Sequence, residues 1–262
     1  MGSLGMSASA MLSSMLADLA PPPPRLSLAD SLFLDFDGTL VELADNPEGV
    51  HVSRELADRL DALAAHMPGR LAIVSGRSIA QIDALFGPQA QHFTLAGSHG
   101  AERRSPEDGH SQPEKPDHLA IATEEMRRVA EDNGLYFETK SFGAGLHYRR
   151  KPEAEPLALR EAAAIAERHG LTLQPGKMMV EVRLPGDKGQ AIETLMETPA
   201  MRGTVPIFFG DDVTDEDGFA AAAALGGAGV LVGPMRETAA RYRLPDVPAV
   251  HEWLAQALEN AE

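Results

Sequence analysis

The stretch Leu32-Phe33-Leu34-Asp35-Phe36-Asp37-Gly38-Thr39 decides the fold of this chain. Its first three residues form an apolar run that predicts a buried strand, and Gly38 predicts an immediate turn after it. Asp35 and Asp37 are one residue apart, so in extended backbone both side chains leave on the same side. Open α/β sheets bind ligands at the carboxyl ends of their strands, which predicts a two-carboxylate site here. The alternative is that both carboxylates only cap the following turn.

Strands and helices alternate on both sides of this stretch. Apolar runs predict strands at 71–74, 92–96, 205–209 and 229–232, and helical spacing predicts a helix after Ser53 and further helices at 79–86, 190–196 and 216–225. Ser53 is the predicted N-cap of the first helix, and Gly87 is predicted to close the second. Strand and helix in this order predict an α/β fold with a parallel sheet and right-handed crossovers.

The composition changes between the two halves, beginning with residues 103–115, which are polar and rich in Gly, Pro and Ser. Beyond them, helices are predicted at 119–133 and 156–169, and strands at 135–140, 146–150, 171–174 and 178–184, with Gly143-Ala144-Gly145 joining the first two strands. These patterns predict a core domain of residues 25–104 and 185–262, interrupted by a small α+β cap domain at 105–184. This inserted domain is called the insert below.

The N-terminal residues 1–24 are predicted to form a flexible tail. Pro21-Pro22-Pro23-Pro24 favours an extended, stiff conformation and indicates a spacer before the first strand. No Lys or Arg precedes Arg25, so a secretory signal would lack its basic leading region. The alternative is that Met6–Leu19 forms an amphipathic docking helix.

Composition excludes several classes of partner and chemistry. The 262 residues are 44% hydrophobic, enough for a sizeable core, and 23 Lys+Arg against 39 Asp+Glu give a net charge of −16. This charge repels nucleic acid and anionic membranes, so neither is an expected partner. The chain has no cysteine, which excludes disulfides and Cys-based zinc sites and fits a cytoplasmic location. No apolar run is long enough to span a bilayer, and the oligomeric state stays open.

A second acidic cluster, Gly210-Asp211-Asp212-Val213-Thr214-Asp215, follows the predicted strand at 205–209. Converging carboxylates suit a hard cation held by oxygens, Mg²⁺ before Zn²⁺. Asp211 directly follows the strand and is the stronger ligand candidate. Asp215 and Glu216 have an alternative role as helix N-terminal acids that the macrodipole favours.

Two further polar residues suit a phosphate ligand. Ser75 follows the strand at 71–74 and can donate its hydroxyl to a phosphoryl oxygen, and Lys188 can neutralise the phosphoryl charge. Each signal is weak when taken alone, because a serine after a strand most often caps a helix and a lysine beside glycine is usually solvated.

The ordered set Asp-x-Asp-Gly-Thr (35–39), Ser-Gly-Arg (75–77), Lys188 and Gly-Asp-Asp-x-x-Asp (210–215) resembles the haloacid dehalogenase-like phosphatases over nearly all of residues 32–215. The resemblance implies a Rossmann-like parallel-sheet core with an inserted cap. It further implies that Asp35 is a nucleophile that becomes aspartyl phosphate, and that Asp37 acts as acid and then as base. Mg²⁺ would be bound by the Asp35 carboxylate, the Asp37 carbonyl and Asp211, with Asp215 or Asp212 near by.

The insert carries charged residues at two-residue spacing. This period predicts that Glu138 shares a strand face with Lys140, His147 with Arg149, and Lys177 with Glu181. Such a polar face can present hydrogen-bonding groups to a polar ligand. The alternative is an ordinary solvated sheet face.

Together with Gly97-Ser98-His99-Gly100-Ala101-Glu102, these residues resemble the trehalose-phosphatase group. The resemblance implies hydrolysis of trehalose 6-phosphate, the last step of trehalose biosynthesis, and substrate contacts from Gly76, Arg77, His99, Glu102, Glu138, Lys140, Arg149, Lys177 and Glu181. One alternative is a related phosphatase that acts on sucrose phosphate or a mannosyl phosphoglycerate. Another is a non-catalytic phosphosugar-binding module, whose expected mark is the loss of Asp35, Asp37 or Lys188.

Overall fold

The computed structural model describes residues 18–27, 29–43, 49–176 and 178–260. The strands are β1 Asp30–Leu34, β2 Leu71–Val74, β3 Thr94–Gly97, β4 Glu102–Ser105, β5 Gly109–Ser111, β6 Tyr136–Lys140, β7 Gly143–His147, β8 Thr172–Gly176, β9 Met179–Arg183, β10 Val205–Gly210, β11 Ala228–Val232 and β12 Tyr242–Leu244. The α-helices are α1 Arg54–His66, α2 Ile79–Phe86, α3 Asp117–Asn133, α4 Glu155–His169, α5 Lys188–Met196, α6 Glu216–Ala224 and α7 Val247–Glu259.

The chain divides into two compact units, one of residues up to 110 together with 187–262, and the insert at 111–186. Residues 105–110, which the sequence analysis assigns to the insert, therefore belong to the first unit, called the core unit below, and residues 185–186 belong to the insert. The insert is residues 111–186 from here on. The reason for the first difference is that β4 pairs with β3, and β5 lies beside β4 in the same sheet. Arg104 on β4 also donates to both carboxylate oxygens of Asp83 on α2, at 2.7 Å each.

The core unit is built on a sheet with the order β12-β11-β10-β1-β2-β3-β4-β5. The pairs from β12 to β3 are parallel, and β3 and β4 are antiparallel. This confirms the predicted α/β fold with a mainly parallel sheet. Because β1 lies between β10 and β2, the carboxyl ends of these three strands lie side by side.

Both faces of β1 are buried, as its continuous apolar run predicts. Leu32 and Leu34 pack in a cluster that includes residues of α1, α2 and α7, whereas Phe33 packs in another with residues of α5 and α6. Local signals fix the helix ends: Ser53 caps α1 by accepting from the Leu56 amide, and α2 ends at Gly87 as predicted.

The insert contains a four-stranded antiparallel sheet with the order β6-β7-β9-β8. Apolar residues of α3, α4, β7 and β9 form its core. The prediction that Gly143-Ala144-Gly145 is a connection is wrong, because these residues belong to β7 and pair with β6 and β9. The strand ends at His147, so Arg149 lies in the following turn and does not share a strand face with it.

The described residues of the N-terminal segment lie against the core unit, which differs from the predicted free spacer. The indole Nε1 of Trp253 donates to the carbonyls of Pro22 and Pro23 at 3.2 and 3.1 Å. Residues 22–27 help to line an open cavity of about 890 Å³ at the amino ends of β1 and β10, the sheet edge opposite to Asp35. The alternative docking helix lies outside the described residues except for Asp18 and Leu19, which are not helical.

Among the described residues, no helix is both long and apolar enough to cross a membrane.

Candidate active site

Asp35, Lys188 and Asp215 form a buried charged cluster at the carboxyl edge of the core sheet. Their residues are 4%, 3% and 0% exposed, which means that water solvates none of these charges well. The Lys188 ammonium donates to Asp35 Oδ1 at 2.7 Å and to Asp215 Oδ1 at 2.6 Å. One cation therefore bridges two carboxylates from different strand ends, which compensates part of the cost of burying them.

Asp211 completes the acidic cluster. One carboxylate oxygen from each of Asp35, Asp211 and Asp215 lies within 4.8 Å of the others. Gly38 makes this approach possible, because its φ is +80° and a Cβ there would lie 2.1 Å from Asp211 Oδ2. Gly210 leaves similar room for Asp215, since a Cβ at residue 210 would lie 2.3 Å from the Asp215 Cγ.

The charges in this cluster do not balance within the protein. Burial raises the pKa of Asp35 well above its usual range, and Asp215 and Asp211 raise it further although Lys188 opposes them. Burial, with Asp215 and Asp212, raises the pKa of Asp211 to about 7. Burial alone would lower the pKa of Lys188, but Asp215 and Asp35 bring it above its ordinary value. A divalent cation among these oxygens would relieve the carboxylate repulsion, so the donor set fits Mg²⁺.

The two candidates for assisting Asp211 have different surroundings. Asp215 Oδ2 accepts from the amides of Asp211 and Asp212 at 2.9 and 3.0 Å, which holds the loop in place. Asp212 is exposed, and its Oδ1 accepts from the amide of Thr214 at 2.7 Å, which caps the short 3₁₀ turn before α6. Asp215 therefore belongs to the acidic cluster, and Asp212 is a capping residue.

Asp37 is paired with Arg77. The guanidinium Nε and one terminal nitrogen of Arg77 donate to the two Asp37 oxygens at 2.7 Å each, and the guanidinium carbon lies 5.5 Å from the Phe36 ring centroid. The fork fixes the orientation of the carboxylate. Arg77 is thus bound to the predicted acid, whereas the sequence assigned it to the substrate.

Ser75, which is 2% exposed, lies in the turn after β2. Its amide donates to the Ala96 carbonyl at 2.9 Å, and its Oγ accepts from the Arg77 amide at 3.1 Å. The next residue, Gly76, lies under the His99 ring, because a Cβ at residue 76 would be 2.7 Å from His99 Nε2. His99 therefore belongs to the surroundings of this turn.

Glu102 is buried, and its side chain faces the core unit. Oε1 accepts from the Ile79 amide at 3.1 Å and from Ser98 Oγ at 2.8 Å. A substrate contact from Glu102 stays a prediction from the family resemblance.

The insert places four polar side chains on one face of its sheet. A Glu138 carboxylate oxygen accepts from His147 Nε2 at 2.8 Å in the tautomer that carries a hydrogen on that nitrogen, and Lys140 pairs with Glu181. In the sheet register, Glu138 and Glu181 flank Gly145 from opposite sides. The opposite face, with Leu146, Val180 and Val182, packs in the apolar core of the insert. One predicted substrate contact, Lys177, lies outside the described residues.

Sequence reasoning missed three features of these sites. It treated Gly38 only as a turn residue, although the glycine also makes room for Asp211. It left His147 without a role, and it gave Glu216 only a macrodipole role. Glu216 Oε2 accepts from the Ala239 amide at 2.7 Å and Oε1 pairs with Arg236, whose other nitrogen donates to the Asp212 carbonyl at 2.6 Å. For His147, the available signal was the two-residue alternation of the strand residues that precede it.

Comparisons with known proteins agree on one family. The trehalose-phosphatase family model matches residues 33–248. The trehalose-6-phosphate phosphatase of Escherichia coli strain K12 is 39% identical over 235 residues, which cover 88% of this chain and 87% of that protein. A probable trehalose-phosphate phosphatase of Sinorhizobium fredii is 39% identical over 78% of each chain. A solved structure of a trehalose-6-phosphate phosphatase related protein superposes with a TM-score of 0.70 at 28% identity, covering 87% of this chain and 96% of that one.

Proposed function

Because this chain belongs to the trehalose-phosphatase family, we propose that it hydrolyses trehalose 6-phosphate to trehalose and inorganic phosphate, the last step of trehalose biosynthesis. The observation that carries the chemical part of this proposal is the buried Asp35, bonded to Lys188 beside two further carboxylates. One cluster then contains the nucleophile Asp35, the cation Lys188 that neutralises the phosphate, and carboxylates that can bind a metal.

In the first step, an Asp35 carboxylate oxygen attacks the phosphorus, and the bond from phosphorus to the sugar oxygen breaks. Lys188 offsets the charge of the transferring group, and Ser75 donates its hydroxyl to a phosphoryl oxygen. Asp37 gives a proton to the departing sugar oxygen, for which the fork with Arg77 must open on at least one oxygen. Trehalose leaves, and Asp35 carries the phosphoryl group.

In the second step, a water molecule attacks the phosphorus of the aspartyl phosphate. Asp37 removes a proton from this water, which restores its protonated form for the next cycle. The bond between phosphorus and the Asp35 oxygen breaks, and orthophosphate leaves with the oxygen that came from water.

Mg²⁺ is the cofactor that we propose for this site. Asp35 and Asp211 would hold it through carboxylate oxygens, with the Asp37 carbonyl as a further ligand and Asp215 near by. When bound, the ion supplies positive charge to the phosphoryl oxygens. The crowding of Asp35, Asp211 and Asp215 within 4.8 Å supports this proposal.

Recognition of the sugar is proposed to involve the polar face of the insert. Carboxylates such as Glu138 and Glu181 can accept hydrogen bonds from sugar hydroxyls, and Lys140 can donate to hydroxyl or phosphate oxygens. Arg149 and Lys177 stay predictions from the family resemblance. The expected cytoplasmic location also stays a prediction.

The experiment is a comparison of phosphate release from trehalose 6-phosphate, sucrose 6-phosphate, mannosyl phosphoglycerate and an aryl phosphate, with Mg²⁺ and after exhaustive chelation. We expect the highest kcat/KM with trehalose 6-phosphate, loss of activity with EDTA, and recovery with Mg²⁺ in the absence of Zn²⁺. A higher kcat/KM with sucrose 6-phosphate or mannosyl phosphoglycerate would mean that this ester, and not trehalose 6-phosphate, is the substrate. Binding of trehalose 6-phosphate without phosphate release would indicate the non-catalytic module, and activity after chelation would contradict the metal site.

A further inference from the structure

Glu102 is a buried carboxylate for which the proposed reaction has no direct use. The residue is 4% exposed and begins β4, the antiparallel neighbour of β3. Its Oε1 accepts from the Ile79 amide, the first residue of α2, and from the Ser98 hydroxyl, while Oε2 lies 3.5 Å from His110 Nε2. A carboxylate bound in this way ties β4 to the beginning of α2 and to the segment after β3.

The segment after β3 has an unfavourable backbone conformation. Ser98 and His99 have φ values of +50° and +55°, and Gly100 has +92°. Residues other than glycine rarely adopt this region. Two such residues in succession keep this conformation only when surrounding contacts hold them there. The Ser98 hydroxyl bonded to Glu102 is one such contact.

The same segment holds the turn that follows β2. The Ser98 amide donates to the Arg77 carbonyl at 2.8 Å, and the His99 amide donates to the Ser75 carbonyl at 2.9 Å. There is little room for adjustment, because a Cβ on Gly97 would lie 2.8 Å from the Ile79 nitrogen. Movement of Ser98 would therefore be transmitted to both ends of the turn formed by residues 75–77.

We infer that Glu102 is a positioning residue that fixes the phosphate-binding turn of residues 75–77 through Ser98 and the start of α2. The inference rests on the proposed function, in which Ser75 contacts the phosphoryl group and Arg77 orients Asp37. A group that acts on this turn affects the phosphate chemistry of every substrate. A group that contacts sugar hydroxyls affects only the sugar esters, so the two roles are separable.

The test compares Glu102→Ala, Glu102→Gln and Ser98→Ala with the wild-type protein on trehalose 6-phosphate and on an aryl phosphate. Glu102→Ala leaves two donors unpaired, and we expect kcat/KM to fall about ten- to a hundredfold with both substrates. Gln keeps an oxygen at Oε1 that can accept both hydrogen bonds, so Glu102→Gln should remain within about threefold of wild type. Ser98→Ala removes only one donor and should fall between the two on both substrates.

Asp83→Ala is the matched control, since Asp83 also joins α2 to β4, through Arg104, but lies away from the turn. This variant should keep wild-type kinetics with both substrates, and thermal unfolding of each protein identifies any general loss of structure. A loss confined to trehalose 6-phosphate would show that Glu102 contacts the sugar. Unchanged kinetics in Glu102→Ala, or an equal loss in Asp83→Ala, would also overturn the inference. Wild-type protein inactive on both substrates would instead refute the proposed function.

Discussion

Asp37 is bound by Arg77 through two hydrogen bonds of 2.7 Å, and this pairing makes its role testable. A general acid contributes most when the leaving group is basic, and a sugar alkoxide is far more basic than an aryl oxide. Asp37→Asn should therefore lower kcat/KM for trehalose 6-phosphate by about 10²- to 10⁴-fold, and for an aryl phosphate by much less. The kcat/KM value is the proper measure, because it reports the phosphorylation step separately from later hydrolysis. An equal loss with both substrates would rule out Asp37 as the acid.

Substitution of Gly38 can separate the effect of backbone strain from the effect of displacing a carboxylate of the acidic cluster. Alanine at either Gly38 (φ +80°) or Gly203 (φ +82°) must adopt a left-handed conformation, at a cost of about 1–2 kcal/mol in unfolding free energy. Only at Gly38 does the new Cβ also meet Asp211, at 2.1 Å. Gly38→Ala should therefore lose about a hundredfold or more in activity, since small displacements of catalytic groups have effects of this size.

Gly203→Ala is the control for this experiment, because nothing lies within 4 Å of its added Cβ. It should keep wild-type activity while losing a similar amount of stability by chemical denaturation. If Gly38→Ala remains as active as Gly203→Ala, the close approach of Gly38 to Asp211 has no importance for the reaction.

The ends of strands were predictable from sequence, and the direction of individual side chains was not. Asp35 and Asp211 each follow an apolar strand, and parallel pairing of those strands places both at one edge. By contrast, nothing local distinguishes a Glu102 that faces inward from one that faces a ligand. Its orientation depends on Ser98 and Ile79, which adjoin it only after β3 and β4 have paired.

Among the elements, β7 shows where local patterns mislead. Glycine is a strong signal for turns and loops, so the sequence analysis placed Gly143 and Gly145, two positions apart, in a connection. In the structure both pair within the sheet, and Leu146 and Ala144 between and beside them point to the core of the insert. Burial of those apolar residues and pairing on both edges outweigh the weak strand propensity of glycine. The same pairing places Glu138 and Glu181 on one face.

The polar face of the insert gives a prediction at Glu181, which is 7% exposed and paired with Lys140. Glu181→Ala should lower kcat/KM for trehalose 6-phosphate about ten- to a hundredfold, because hydrogen bonds to charged groups typically contribute about 1.5–3 kcal/mol. Hydrolysis of an aryl phosphate should stay nearly unchanged. Both substrates are to be measured on one protein sample, so that misfolding cannot imitate specificity.

Glu125→Ala is the control in the insert, because Glu125 also forms an ion pair, with Arg168, and lies on α3. It should leave both activities unchanged. If Glu181→Ala loses activity equally on both substrates, Glu181 is a structural residue. If it loses activity on neither, the polar face is only solvated surface. In the second case the substrate preference would need another explanation.

Across the whole molecule, the segment before β1 completes the core unit. Trp253 on α7 donates to the carbonyls of Pro22 and Pro23, and its ring centroid lies 4.7 Å from that of Phe209 on β10. Trp253→Phe keeps most of the aromatic packing and loses the N–H donor. We expect the free energy of unfolding to fall by about 1 kcal/mol or somewhat more, measured by denaturant titration.

Activity should be unchanged in Trp253→Phe, because this edge of the sheet is opposite to Asp35. An unaltered unfolding free energy would mean that the contacts of residues 22–23 contribute nothing to the core unit. A large loss of kcat at temperatures where the variant is folded would mean that the two edges of the sheet are coupled.

The most direct measurement is phosphate release from trehalose 6-phosphate by the wild-type protein and by Asp35→Asn under identical conditions. The amide is nearly isosteric with the carboxylate but cannot form an acyl phosphate at a useful rate. The account predicts steady turnover by the wild type and no more than a trace from Asp35→Asn, with the folded content of both shown by circular dichroism. Substantial turnover by a clean preparation of Asp35→Asn would contradict the account, because hydrolysis would then not proceed through Asp35.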